Sequence, residues 1–142
     1  MPTRYHVSRH IDAPADRVWD LLTDASGYRQ WNRAVVSIEG TIAKGNTVSL
    51  VSIANPKRTF KLGVTEAVRP TRLVWSDGMP LGLFKGERTF RLEALDGATE
   101  FSMTEDYTGL LAGLFTKAIP DLTPSFELFA DSLKSAAEAP PA

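Results

Sequence analysis

The sequence predicts an α+β domain with a curved antiparallel sheet of about seven strands, two short N-terminal helices and a long C-terminal helix. Three observations predict it. Residues 35–109 run in β-branched or alternating segments separated by turn residues. A proline-led amphipathic stretch, DAPADRVWDLLTD, precedes them. Near the end, Leu122, Phe126, Phe129, Leu133 and Ala137 recur every three or four positions, which is a helix with one apolar face. An alternating sheet needs a cover on its apolar side, and this helix supplies it. Where a curved sheet and a straight helix cannot touch, a gap remains, and a ligand would sit there.

Taken in order, residues 4–11 read as a strand with Tyr5, Val7 and Ile11 on one face, although Arg9 falls on that face too. Asp12 or Ala13 can cap the next helix, and Pro14 suits its first turn because the missing N–H needs no partner there. Val18, Trp19, Leu21 and Leu22 form its apolar stripe, and Gly27 ends it near residue 26. SGYRQWN, residues 26–32, makes a second helical turn carrying Tyr28 and Trp31. Strands follow at 35–40, 47–53, 59–68 and 72–77, with a loop at 78–82. Strands 83–95 and 98–109 are joined at Asp96-Gly97, a strong two-residue hairpin signal. Pro120 predicts a kink or break in the tail, and Thr123-Pro124 restarts the helix as cap and first-turn proline. Residues 139–142 are expected to fray, and the whole of 1–142 is expected to form one domain.

Composition narrows the function. The 142 residues carry 16 Lys+Arg against 17 Asp+Glu, a balance that argues against nucleic-acid binding. There is no cysteine, which excludes disulfides, thiolate nucleophiles and Cys-ligated zinc. No apolar run approaches the ~20 residues of a membrane span, so stable membrane insertion is not expected. The N-terminus lacks a secretory pattern, and a cytoplasmic protein is expected. His6 and His10 look like a metal pair, but on a strand they lie ~13 Å apart, so they read as surface residues. Neither a phosphate loop, a dinucleotide fingerprint nor a nucleophile elbow is present, and no cofactor or metal is expected. The basic run Lys57-Arg58 with Lys61 reads as a solvated strand end.

The Asp96-Gly97 turn also sets a register. Leu95 should oppose Ala98, Leu92 Phe101, Phe90 Met103, Arg88 Glu105 and Gly86 Tyr107. Phe84, Phe90 and Leu92 mark the inward face, so Arg88 and Glu105 are expected as an inward cross-strand ion pair. The pair is either a neutralised polar patch or the anchor of a polar group on an apolar ligand. Phe60, Leu62, Val64 and Val68 share a parity with Glu66. If Val68 pairs with Leu73, Glu66 faces Trp75 inward; a bulge would turn it outward. Trp31 and Trp75 are ligand walls or core packing, and Tyr28 and Tyr107 are hydrogen-bond donors or ordinary half-buried tyrosines. Leu81, Leu83, Leu110, Leu111, Leu114 and Phe115 form a lid, a partner surface or core filling.

Residues along the chain resemble the START-like (SRPBCC) superfamily, whose architecture is the helix-grip or Bet v 1-like fold. The matching positions are Ile11-Asp12-Ala13-Pro14 with Val18-Trp19, Thr23-Asp24, Tyr28-x-x-Trp31-Asn32, and Gly40 with Gly45. Further on come Arg72-Leu73-Val74-Trp75, Phe84-Lys85-Gly86 with Phe90, Thr99-x-Phe101, Glu105-x-Tyr107-x-Gly109, and Leu133-Lys134 with Ala137-Glu138. The polyketide cyclase/dehydrase and lipid-transport branch is the most similar. The resemblance implies a deep cavity for a small hydrophobic or aromatic molecule, but no particular reaction, because function lives in the site. Many relatives place a histidine two residues before the phenylalanine of the sixth strand; here Arg88 stands there, which puts a histidine mechanism in doubt.

Three functions are weighed. The first is binding or transport of a hydrophobic ligand by Arg88, Glu105, Tyr107, Trp75, Glu66, Phe90, Met103, Trp31 and Phe126, by a monomer or homodimer. The second is a cyclase or dehydratase. Glu66 or Glu105 would be its base, Arg88 its oxyanion partner and Tyr107 its proton donor. The third is an adaptor resembling chaperone activators, working through an outer surface.

Overall fold

A computed structural model describes residues 3–115, 117 and 121–140. The elements are β1 (Thr3–Ile11), α1 (Ala15–Thr23), α2 (Tyr28–Trp31), β2 (Val35–Glu39), β3 (Thr47–Ser52), β4 (Phe60–Val68), β5 (Arg72–Met79), β6 (Phe84–Leu95), β7 (Ala98–Thr108), α3 (Ala112–Phe115) and α4 (Thr123–Glu138). The seven strands form one curled antiparallel sheet in the order β1-β7-β6-β5-β4-β3-β2, gripping α4. That is the helix-grip arrangement.

Local chemistry explains most element limits. Pro14, rather than Asp12 or Ala13, is the N-cap of α1, and its carbonyl accepts from Arg17 and Val18. The helix stops at Thr23, earlier than expected, because Asp24 turns extended and a 3₁₀ turn over Ala25–Gly27 follows. β5 runs two residues beyond its expected end, so the loop shrinks to a 3₁₀ turn over Pro80–Gly82. At α4, Thr123 is not the cap. Leu122 holds that position, and the Asp121 carboxylate accepts the Thr123 N–H at 3.0 Å, which also holds the Asp121 carboxyl below its usual range. The break expected at Pro120 and the end of the frayed tail lie outside the described residues.

The β6–β7 register is the expected one along its whole length, from Leu95 opposite Ala98 to Gly86 opposite Tyr107. Asp96 (φ +48°) and Gly97 (φ +84°) both take left-handed backbone, as the two-residue turn of a right-twisted hairpin requires. β4–β5 departs from expectation. Val68 pairs with Arg72, Ala67 with Leu73, and a bulge falls between Val64 and Glu66. Thr65 is the extra residue, and parity reverses beyond it: Ala67 turns in, and Val68 is 51% exposed.

The core is continuous between sheet and helices. Ile11, Phe90, Phe101, Met103, Phe129 and Leu133 are almost wholly buried. Arg9 shares the inward face of β1 because it reaches across to α4, donating to Asp131 at 2.8 Å and to Glu127. Tyr28 is also core: its hydroxyl donates to the Leu22 carbonyl and its ring meets Trp31 and Phe129 edge-on.

Candidate functional site

One face of the sheet is not filled by α4. A cavity of about 360 Å³ opens between the β3–β7 end of the sheet and Leu122 at the start of α4. Its apolar wall includes Leu50, Leu62, Trp75, Phe84 and Tyr107; its polar groups include Arg58, Asp77, Arg88 and Glu105.

Two adjacent cross-strand rows build the polar end. In the first, Trp75 of β5 lies opposite Arg88 of β6, and Arg88 opposite Glu105 of β7. Arg88 Nε donates to Glu105 Oε1 at 2.6 Å, and the two side chains are only 17% and 13% exposed. The Phe126 ring lies 4.6 Å below the guanidinium carbon. Glu105 therefore holds one edge of the guanidinium and Phe126 one face. Among the described residues, nothing accepts from its terminal Nη groups. They are left for another acceptor.

In the second row, Asp77 lies opposite Gly86, and Gly86 opposite Tyr107. The Tyr107 ring stacks on Phe84 at 5.7 Å and meets Tyr5 edge-on at 6.5 Å. Space is tight here: a Cβ at position 86 would stand 3.1 Å from Tyr107 Cε1, so the ring would have to give by a few tenths of an ångström. Burial, and next the charge and hydrogen bond of Glu105, push the Tyr107 hydroxyl well above the ordinary phenol range, so it stays protonated.

Four of the nine residues expected at the site line the cavity: Arg88, Glu105, Tyr107 and Trp75. Among the described residues, the buried Trp75 indole N–H has no hydrogen-bond partner, an uncommon state. Phe126 acts beneath Arg88. Phe90 and Met103 do not line the cavity; both are 0% exposed, packed beneath α4. Trp31 is likewise a packing residue, 6.2 Å from Phe129. Glu66 is a correction. The bulge turns it to the outer face opposite Val74, where its carboxylate lies 3.1 Å from Arg72 Nε.

Asp77, Arg58 and Gly86 were not expected as cavity residues. Alternation from Trp75 places Asp77 inward, so a legible signal existed for it. Arg58, read as a solvated strand end, stands 4.6 Å over the Phe60 ring at the cavity edge. Leu81, Leu110 and Leu114 are 92%, 85% and 65% exposed, so they fill no core. His6 and His10 are exposed, and His10 lies between Glu100 (2.6 Å) and Asp12 (3.0 Å). Among the described residues no group of three or more His, Asp or Glu could hold a metal ion, and no helix is long and apolar enough to cross a membrane.

Comparison with solved structures finds the same fold repeatedly. The di-domain ARO/CYC BexL from the BE-7585A biosynthetic pathway superposes with a TM-score of 0.74 at 18% identity, over 99% of this chain and 51% of that one. This chain thus spans about half the length of that di-domain protein. The Zhui aromatase/cyclase from Streptomyces sp. R1128 gives 0.70 at 16% identity, over 97% and 94% of the two chains. A START superfamily protein from Mycobacterium smegmatis gives 0.67 at 16%, over 95% and 97%. At such identities the likeness is one of fold. No curated protein matches the sequence. The family model for polyketide cyclase / dehydrase and lipid transport matches residues 2–138, and with its helix-grip fold the chain belongs to that family.

Proposed function

We propose that the protein binds a small hydrophobic ligand in the sheet–helix cavity, with an acceptor group of the ligand, such as a carbonyl, on the Arg88 guanidinium. The observation that carries this reading is Arg88 itself. It is fixed on one edge by Glu105 and on one face by Phe126, yet its terminal N–H groups have no acceptor among the described residues. Burying a charged pair is costly, and a purely structural role would be served as well by apolar residues. The cavity volume falls within the roughly 300–1,000 Å³ usual for ligand sites with apolar walls and few polar groups.

Calorimetric titration with benzophenone, an apolar carbonyl compound, tests it. Arg88→Met/Glu105→Leu, which removes both charges and strands neither, should weaken binding about tenfold while leaving the melting temperature close to that of the parent. Binding by this variant equal to that of the parent would reject the role. Native mass spectrometry of protein taken from its own cells would identify the natural ligand.

A second reading, a cyclase or dehydratase, is favoured by one feature: the protonated Tyr107 hydroxyl beside Arg88 pairs a proton donor with a cation for a developing oxyanion. With Glu66 outside the cavity and Glu105 held by Arg88, neither carboxylate first considered is well placed as its base.

A further inference from the structure

We infer that Asp77 is a second polar anchor of the cavity, accepting a hydrogen bond from a hydroxyl group of the same ligand whose carbonyl Arg88 holds. The inference rests on the ligand-binding reading above. Asp77 shares the inward face of β5 with Leu73 and Trp75 and lines the cavity. Its neighbour across the strands is Gly86, which has no side chain to cover it, and beyond Gly86 lies the Tyr107 ring. Among the described residues, the Asp77 carboxylate has no ion pair and no hydrogen bond. The other cavity carboxylate, Glu105, is held at 2.6 Å by Arg88. One acid of the site is thus engaged in positioning a cation, and the other has no partner among the described residues.

A carboxylate against apolar walls loses solvation, and a donor that reaches it restores the loss. Arg58 does not fill this role; its guanidinium lies over Phe60. The donor's class follows from charge. The cavity carries two arginines and two acids, which cancel, so the complementary ligand is neutral. A hydroxyl is the neutral donor that fits. Asp77 and Arg88 are diagonal neighbours on adjacent strands, about 7–8 Å apart by sheet geometry. The ligand class is therefore an aromatic or similarly rigid molecule bearing a carbonyl and a separate hydroxyl at opposite edges.

Three probes separate the two anchors: benzophenone, para-hydroxybenzophenone and the methyl ether of the latter. Titrated calorimetrically, the parent protein should bind the hydroxy compound about tenfold more tightly than its methyl ether. In Asp77→Ala that preference, read as the ratio of the two affinities within the one variant, should fall to less than about twofold. Should the alanine variant fail to fold, Asp77→Asn keeps the shape without the charge, and the preference should drop at least about threefold. The inference is overturned if the parent shows no preference, or if the preference survives in the Asp77 variants. Benzophenone binding that depends on Arg88 without any hydroxyl preference removes Asp77 alone. Failure of all three probes to bind removes the cavity reading beneath it.

Discussion

The two halves of the β6–β7 hairpin use one face of one sheet for opposite ends. Toward the turn, Phe90, Leu92, Phe101 and Met103 close a dry core under Phe129 and Leu133. Toward the open end, Gly86, Arg88, Glu105 and Tyr107 have the same inward parity but border a cavity. Strand alternation does not distinguish the halves. What differs is the partner above: α4 lays its aromatic and aliphatic face on the first half, and only Phe126 and Leu122 at its start reach the second. Packing is complete where the helix follows the sheet and stops where the sheet curls away from it.

Substitutions on each half should break or sharpen that contrast. The largest effect belongs to the dry half. Phe90→Ala should destabilise the fold by about 3–5 kcal/mol in urea unfolding, since its neighbours cannot collapse into the space. A loss under about 1 kcal/mol would show that this half is not close-packed. On the polar half, Glu105→Leu should cost about 2 kcal/mol, because Arg88 then keeps its burial and loses its acceptor. Removing both charges with Arg88→Met/Glu105→Leu should recover most of that stability, which a thermal-melt comparison of the single and double variants reads directly. Gly86→Ala should cost only about 1 kcal/mol, yet it should weaken benzophenone binding about tenfold. The new methyl would push the Tyr107 ring toward the cavity. Equal benzophenone affinity in the variant would mean that Tyr107 does not border the bound molecule.

The smallest effect lies outside both halves. Hydrogen bonds to Glu100, then to Asp12, raise the His10 pKa above its ordinary 6.5. A raised folded-state value means the protonated ring stabilises the native state fully below pH 6.5, and that contribution fades as pH rises through the folded value. The melting temperature should therefore decline slightly as pH climbs above 6.5, and His10→Gln should flatten the decline. An unchanged slope in the variant would assign the decline to other groups.

Much of the fold was legible because its signals are local. The Asp96-Gly97 turn admits one register, so Arg88 opposite Glu105 followed from counting residues. Asp77 is just as countable, two residues beyond Trp75 on the same face of a regular strand. Glu66 was not countable. A bulge at Thr65 is a mismatch in length between two strands, set by how β4 and β5 each meet the rest of the sheet. Trp31, Phe90 and Met103 illustrate a different limit. An inward apolar residue borders a ligand or another side chain depending on what lies across from it, and its own position along the strand carries no such information.

By itself, then, the sequence determined the elements, the inward face of each regular strand and the pairing of the arginine with its carboxylate. These depend on backbone period and turn chemistry, which act over a few residues. Only the tertiary structure decided where the helix stops covering the sheet, which acid turns out to solvent, and which stays on the cavity wall. Those outcomes depend on the relative placement of surfaces far apart along the chain, and on how much volume their side chains together fail to fill.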